Sequence, residues 1–137
     1  MKRLLIMALI GVVALLLAAC GGGEPEAPPP VSITVEAADS FQFSPPTLSV
    51  TAGAEVNLTL KNTGGLDHNF VLVSQNADPL LVTDADALGG VNAGTVSAGG
   101  EKTFTFTAPA AGTYQYVCTI AGHAAGGMVG TLTTTSP

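Results

Sequence analysis

Residues Gly112 to Leu132 read GTYQYVCTIAGHAAGGMVGTL, and the fold is decided in this run. Both of its ends have strand character. Tyr114 and Tyr116 flank Gln115 ahead of Val117, and Met128 to Thr134 is a closing strand of apolar and β-branched residues. Between the two strands, Cys118, His123 and Met128 stand at C-x4-H-x4-M spacing among small residues and glycines. A loop of that composition can fold tightly and carry three side chains to one point at the end of a sandwich.

The same strand pattern runs back toward the amino terminus. Val31, Ile33 and Val35 alternate with Ser32, Thr34 and Glu36. Phe41 and Phe43 alternate next, until Pro45-Pro46 interrupts, and Leu48 and Val50 follow. After the Ala52-Gly53 turn, Val56, Leu58 and Leu60 alternate with polar neighbours. Asn62 to Gly65 turns the chain again, Asn69 to Ser74 reads as a buried strand opened by His68, and Phe104 and Phe106 alternate with threonines. Short strands between turn signals predict an all-β chain, a Greek-key β-sandwich or barrel of about eight strands. Gln75 to Gly100 is rich in Ala, Gly and Asp and fits less well. We expect an irregular or short-helical insertion there, around Pro79 to Leu88, and read it as an ordinary surface insertion.

The amino terminus has a different character. Lys2 and Arg3 precede an apolar run, Leu4 to Leu17, which is too short to cross a bilayer core of ~30 Å as a helix and has the length of a signal-peptide core. Leu17-Ala18-Ala19-Cys20 resembles the lipobox of bacterial lipoproteins, and the resemblance implies acylation of Cys20 as the new first residue. The expected organisation is a signal peptide over 1–19, a lipidated Cys20 with a Gly/Pro tether over 20–30, and one domain over 31–137. The protein would then sit outside the cytoplasm, anchored to the cell membrane on its periplasmic or outer face. Without Lys2 and Arg3 the chain keeps two basic residues against ten acidic ones, a net charge of −8. That balance argues against nucleic acid and suits a cationic protein partner.

The mature part owns few soft ligands: His68, His123, Met128 and, apart from Cys20, the single Cys118. An unpaired thiol in an exported protein is exposed to oxidation, and metal ligation is one good reason to keep it. A histidine from a distant strand end joined to a Cys/His/Met loop makes a two-His, one-Cys set with a weak axial thioether. That set marks blue-copper electron-transfer sites. Zinc would accept the His, His and Cys ligands but not readily the methionine, and a catalytic metal would keep an open position.

At these residues the chain resembles the cupredoxin, or type 1 blue-copper, family. Gly112 to Thr119 looks like the family's cysteine strand, and Gly127 to Leu132 resembles the closing strand of plastocyanins. The Cys-to-His spacing is similar to that of azurins, with a longer gap to methionine. Together with the lipobox and tether, the pattern is most similar to auracyanins. The resemblance implies one copper ion, cycling between Cu(I) and Cu(II), held by His68, Cys118, His123 and Met128. It also implies that Asn69 and Thr119 link the two ligand segments by hydrogen bonds. Asp67, before the first histidine, departs from the glycine of azurins. Electron exchange is expected through the exposed edge of His123, within a patch of Ala121, Gly122, Ala124, Ala125 and Gly126, with Asp67 beside it. The implied function is a non-enzymatic, monomeric carrier that shuttles single electrons between extracytoplasmic partners, such as c-type cytochromes or membrane electron-transfer complexes. The alternative is an exported protein that binds or buffers copper without shuttling electrons.

Overall fold

The computed structural model describes residues 26–137. The signal peptide and Cys20 of the sequence reading lie outside the described residues. Eight strands follow in order: β1 Val31–Ala38, β2 Gln42–Ser44, β3 Thr47–Thr51, β4 Glu55–Asn62, β5 Val71–Ser74, β6 Glu101–Thr107, β7 Gly112–Val117 and β8 Val129–Thr135. They form two four-stranded sheets, ordered β2-β1-β4-β6 and β3-β8-β7-β5. Both sheets are mixed, because β1 runs parallel to β4 and β3 parallel to β8, while the other pairings are antiparallel. The expected eight-stranded β-sandwich is the observed fold.

Alternation drives the packing. In β4 the burial of Val56, Leu58, Leu60 and Asn62 alternates with more open positions, so one face of the strand enters the core. Val35 and Ala37 of β1, Leu72 of β5, Tyr116 of β7 and Leu132 of β8 meet that face from both sheets. Each large aliphatic or aromatic side chain buried this way contributes about 1.5–3 kcal/mol relative to exposure. An aromatic cluster fills the centre: Phe70 stacks on Tyr116 at 4.8 Å between centroids, and Phe43 meets Tyr116 edge-on at 5.1 Å. The Tyr116 hydroxyl donates to the Pro45 carbonyl at 2.8 Å, so the ring is buried without an unpaired polar atom. β8 passes close to this ring at Gly130, where a Cβ would fall on the tyrosine.

Two boundaries differ from the sequence reading. The strand expected over Asn69 to Ser74 begins at Val71, and His68 sits ahead of it in an isolated bridge to Val96. Phe41 is not a strand residue. It closes the β1–β2 turn with φ 55°, its N–H donating to the Ala38 carbonyl at 3.0 Å. The insertion is short-helical as expected, with single 3-10 turns at Asp84–Asp86 and Leu88–Gly90. It is not an ordinary surface insertion, however. Val91, Ala93 and Val96 are buried in the main core, so the segment is folded back over the sandwich by its own apolar residues.

Candidate metal centre

Four segments meet at the end of the sandwich where β1, β4 and β7 finish. The first is the turn that follows β4. Asn62 is buried there, and its side-chain amide donates to the carbonyls of Leu66 at 2.7 Å and Val96 at 2.9 Å. Its side-chain oxygen accepts from the Gly64 N–H at 2.9 Å. These bonds shape the turn that delivers His68. The His68 backbone is then fixed by reciprocal bonds to Val96, at 3.1 and 2.8 Å. The insertion therefore holds the first histidine in place.

The second segment is the loop from Cys118 to Met128. Its ends are tied by the Cys118 N–H donating to the Met128 carbonyl at 3.1 Å, and the Met128 N–H donates to the His123 carbonyl at 3.1 Å. Gly122 and Gly127 take φ of 86° and 103°, which side-chain-bearing residues rarely adopt. The loop winds tightly enough to turn Cys118 and His123 toward the same point.

The Nδ1 atoms of His68 and His123 lie 3.2 Å apart, and the Cys118 sulfur lies 3.3 Å from His123 Nδ1. All three donor atoms fall within 4.8 Å of one another, on side chains that are buried. Met128 is fully buried in the same core cluster as Cys118. Without a cation, each of these contacts is a hydrogen bond only if one partner holds a proton. A cation between them satisfies all three lone pairs at once, so the donor set fits a single type 1 copper ion.

The surroundings favour ligating forms of the imidazoles. His68 Nε2 faces the Asp39 carboxylate at 3.3 Å. A carboxylate accepts, so Nε2 carries the proton and Nδ1 presents its lone pair to the site. Burial, and then the neighbouring His68, pushes the His123 pKa below its ordinary value. Burial pushes the Cys118 thiol up, and the N–H groups of Asn69 and Ile120 only partly oppose it. A metal ion reverses that balance, since a coordinating thiol is deprotonated.

Asn69 and Thr119 join the two ligand segments. The Asn69 amide donates to Thr119 Oγ1 at 2.7 Å, and the Thr119 N–H donates to Asn69 Oδ1 at 2.8 Å. The Asn69 N–H points to the Cys118 sulfur at 3.5 Å. Asp84 of the insertion completes this cluster, accepting from the Asn69 amide at 3.1 Å and from the Thr119 hydroxyl at 2.5 Å.

Three residues at the site escape a reading by sequence: Asp39, Phe41 and Asp84. Phe41 covers the His123 ring, with centroids 4.8 Å apart, and lies where a Gly126 Cβ would otherwise point. As a result His123 is only 7% exposed, less than the open edge expected of it. No spacing signal links these residues to the ligand loop, because Asp39 and Phe41 come from the β1–β2 turn and Asp84 from the insertion.

A two-sheet β fold with a His–Cys–His cluster and a methionine at one end defines a blue-copper protein. Residues 29–135 match the family described as copper binding proteins, plastocyanin/azurin family, and the chain belongs to that family. It is similar to auracyanin-A of Chloroflexus aurantiacus, with 32% identity covering 88% of this chain and 90% of that protein. It is also similar to rusticyanin of Acidithiobacillus ferrooxidans, with 40% identity over 62% of this chain, a match that spans 48% of the rusticyanin sequence. Among solved structures, dithionite-reduced auracyanin of Roseiflexus castenholzii superposes with a TM-score of 0.68 at 28% identity, over 80% of this chain and 99% of that one. The cofactor of the site is one copper ion, and cupredoxins are electron-transfer proteins, generally not enzymes.

Proposed function

We propose that this protein is an exported, lipid-anchored electron carrier that passes single electrons between extracytoplasmic redox partners. The residues that would hold its copper are His68, Cys118 and His123, with the Met128 thioether as the fourth ligand. The observation that carries this reading is the convergence of two imidazole Nδ1 atoms and one thiol sulfur on buried side chains. Thiolate and thioether sulfur suit Cu(I), and imidazole suits both oxidation states. A site braced by the sandwich and by the Asn69–Thr119 link changes little when the electron arrives, which keeps transfer fast. Copper supplies the redox change. The chain fixes the ligands, excludes water and keeps the loop from opening.

Partner docking falls to the surface around the ligand loop. Ala121, Gly122 and Ala125 are exposed there, and the insertion adds Pro79 and Leu80 to the rim of the same shallow depression. Leu80 is 63% exposed, a large apolar side chain with no packing role of its own. A small apolar contact of this kind suits brief encounters, and the acidic remainder of the surface suits a cationic partner such as a c-type cytochrome. Cys20 would tether the domain to the membrane through the 20–30 linker.

The test is the absorption spectrum of the Cu(II)-loaded domain. An intense visible thiolate-to-copper band that ascorbate bleaches and oxidation restores, absent from Cys118→Ser, is the expected result. A colourless protein would overturn the reading. Fast reversible voltammetry distinguishes the carrier from a copper-buffering protein, which would respond sluggishly. Membrane fractionation of wild type against Cys20→Ser tests the anchor, and a wild type found wholly in the soluble fraction would count against it.

A further inference from the structure

Asp39 is held by more than its contact with His68. It follows β1 directly, and the parallel register of β1 and β4, which ends on Ala37 opposite Asn62, carries it to the turn before His68. There its Oδ2 accepts from the Gly65 N–H at 2.7 Å, and its Oδ1 accepts from the Leu66 N–H at 3.1 Å. The same Oδ1 is the partner of His68 Nε2. The turn is shaped around the carboxylate, since a Cβ on Gly64 would overlap it. Three donors thus hold one anion against the outer edge of a buried imidazole whose other nitrogen faces the metal site.

We propose that Asp39 is a positioning residue of the copper centre: its carboxylate fixes the ring orientation and tautomer of His68 and biases the bound ion toward Cu(II). This rests on the reading of His68 as a copper ligand. The orientation follows because the ring can hold its Nε2–H bond only while Nδ1 points into the pocket. The bias follows from charge. Cu(II) carries one more positive charge than Cu(I), so a nearby fixed anion stabilises the oxidised form more and lowers the reduction potential. The side chain is 45% exposed, so solvent screens the anion and the shift is moderate.

Two readouts test the proposal: the reduction potential of the copper-loaded protein, and exchange of the His68 Nε2 proton followed by NMR in the diamagnetic Cu(I) and apo forms. Asp39→Asn should raise the potential and speed the exchange. Glu55→Gln, which removes the same charge at the opposite end of the sheet, should do neither. Wild-type potential and exchange in Asp39→Asn would overturn the proposal, as would an equal rise in potential in Glu55→Gln. Should Asp39→Asn fail to fold, Gly64→Ala keeps the charge but displaces the carboxylate. Faster His68 exchange is expected there, and unchanged exchange would overturn the proposal. A wild type that takes up no copper into a coloured site would refute the underlying ligand assignment instead. The exchange measurement on the apo protein would still decide whether Asp39 holds the ring.

Discussion

At Cys118 a buried thiol sulfur and two imidazole nitrogens face one another within 4.8 Å, and burial raises the pKa of the thiol. A cation satisfies all three donor atoms at once, so the residues around the site should affect the metal and the fold to different degrees. Met128 is the clearest case. Met128→Leu keeps the buried volume and should cost less than ~1.5 kcal/mol in apo stability by denaturant titration. The same change would remove the proposed thioether ligand of copper, and voltammetry should show a displaced potential with the visible band retained. Asn69→Ala should behave in the opposite way. It deletes bonds to Thr119 and Asp84 and leaves the half-buried Thr119 N–H without its acceptor. A loss of about 1–3 kcal/mol in the apo protein is expected from the same titration.

Among the elements, the ligand loop and the insertion work as a pair. The loop supplies Cys118 and His123 and is braced by its own turns, by Phe41 and by the Asn69–Thr119 link. The insertion reaches the site at two points, through Val96 on the His68 backbone and through Asp84 on the Asn69–Thr119 link. Its helical turns are too short to be stable alone, and its buried residues Val91, Ala93 and Val96 are what seat it. The β7–β8 pair sets the loop's base. Tyr116 pairs with Gly130 across that ladder, and the ring lies over the glycine. Gly130→Ala should force the ring aside, destabilising the domain by about 1–3 kcal/mol, measured as a lower denaturation midpoint with an unchanged slope.

On the scale of the whole molecule, the site sits where both sheets end, so copper and fold are thermodynamically linked. An ion that binds only the folded chain stabilises it by about 2.7 kcal/mol at a free concentration of 100 times its dissociation constant. Copper loading should therefore raise the melting temperature, and chelation should return it to the apo value. Equal melting temperatures for the loaded and apo proteins would show that the cluster is not closed by the metal. The acidic surface adds a long-range term: electron exchange with a basic partner should slow as ionic strength rises.

The sequence by itself determined the strand pattern, the two-sheet class and the cluster of His68, Cys118 and His123. Strand alternation has a period of two that is legible without coordinates, and three of the four proposed ligands lie in one short loop. Those signals are local. What the tertiary structure decided is everything that holds the ligands still. Asp39 and Phe41 reach the site because the parallel β1–β4 register brings the β1–β2 turn to the same end as His68, and no sequence spacing encodes that approach. Asp84 and Val96 reach it because the insertion buries its apolar residues on the sandwich instead of standing off in solvent. Ligand identity is a property of single side chains, but ligand orientation depends on contacts between segments far apart in the chain, and those exist only once the chain has folded.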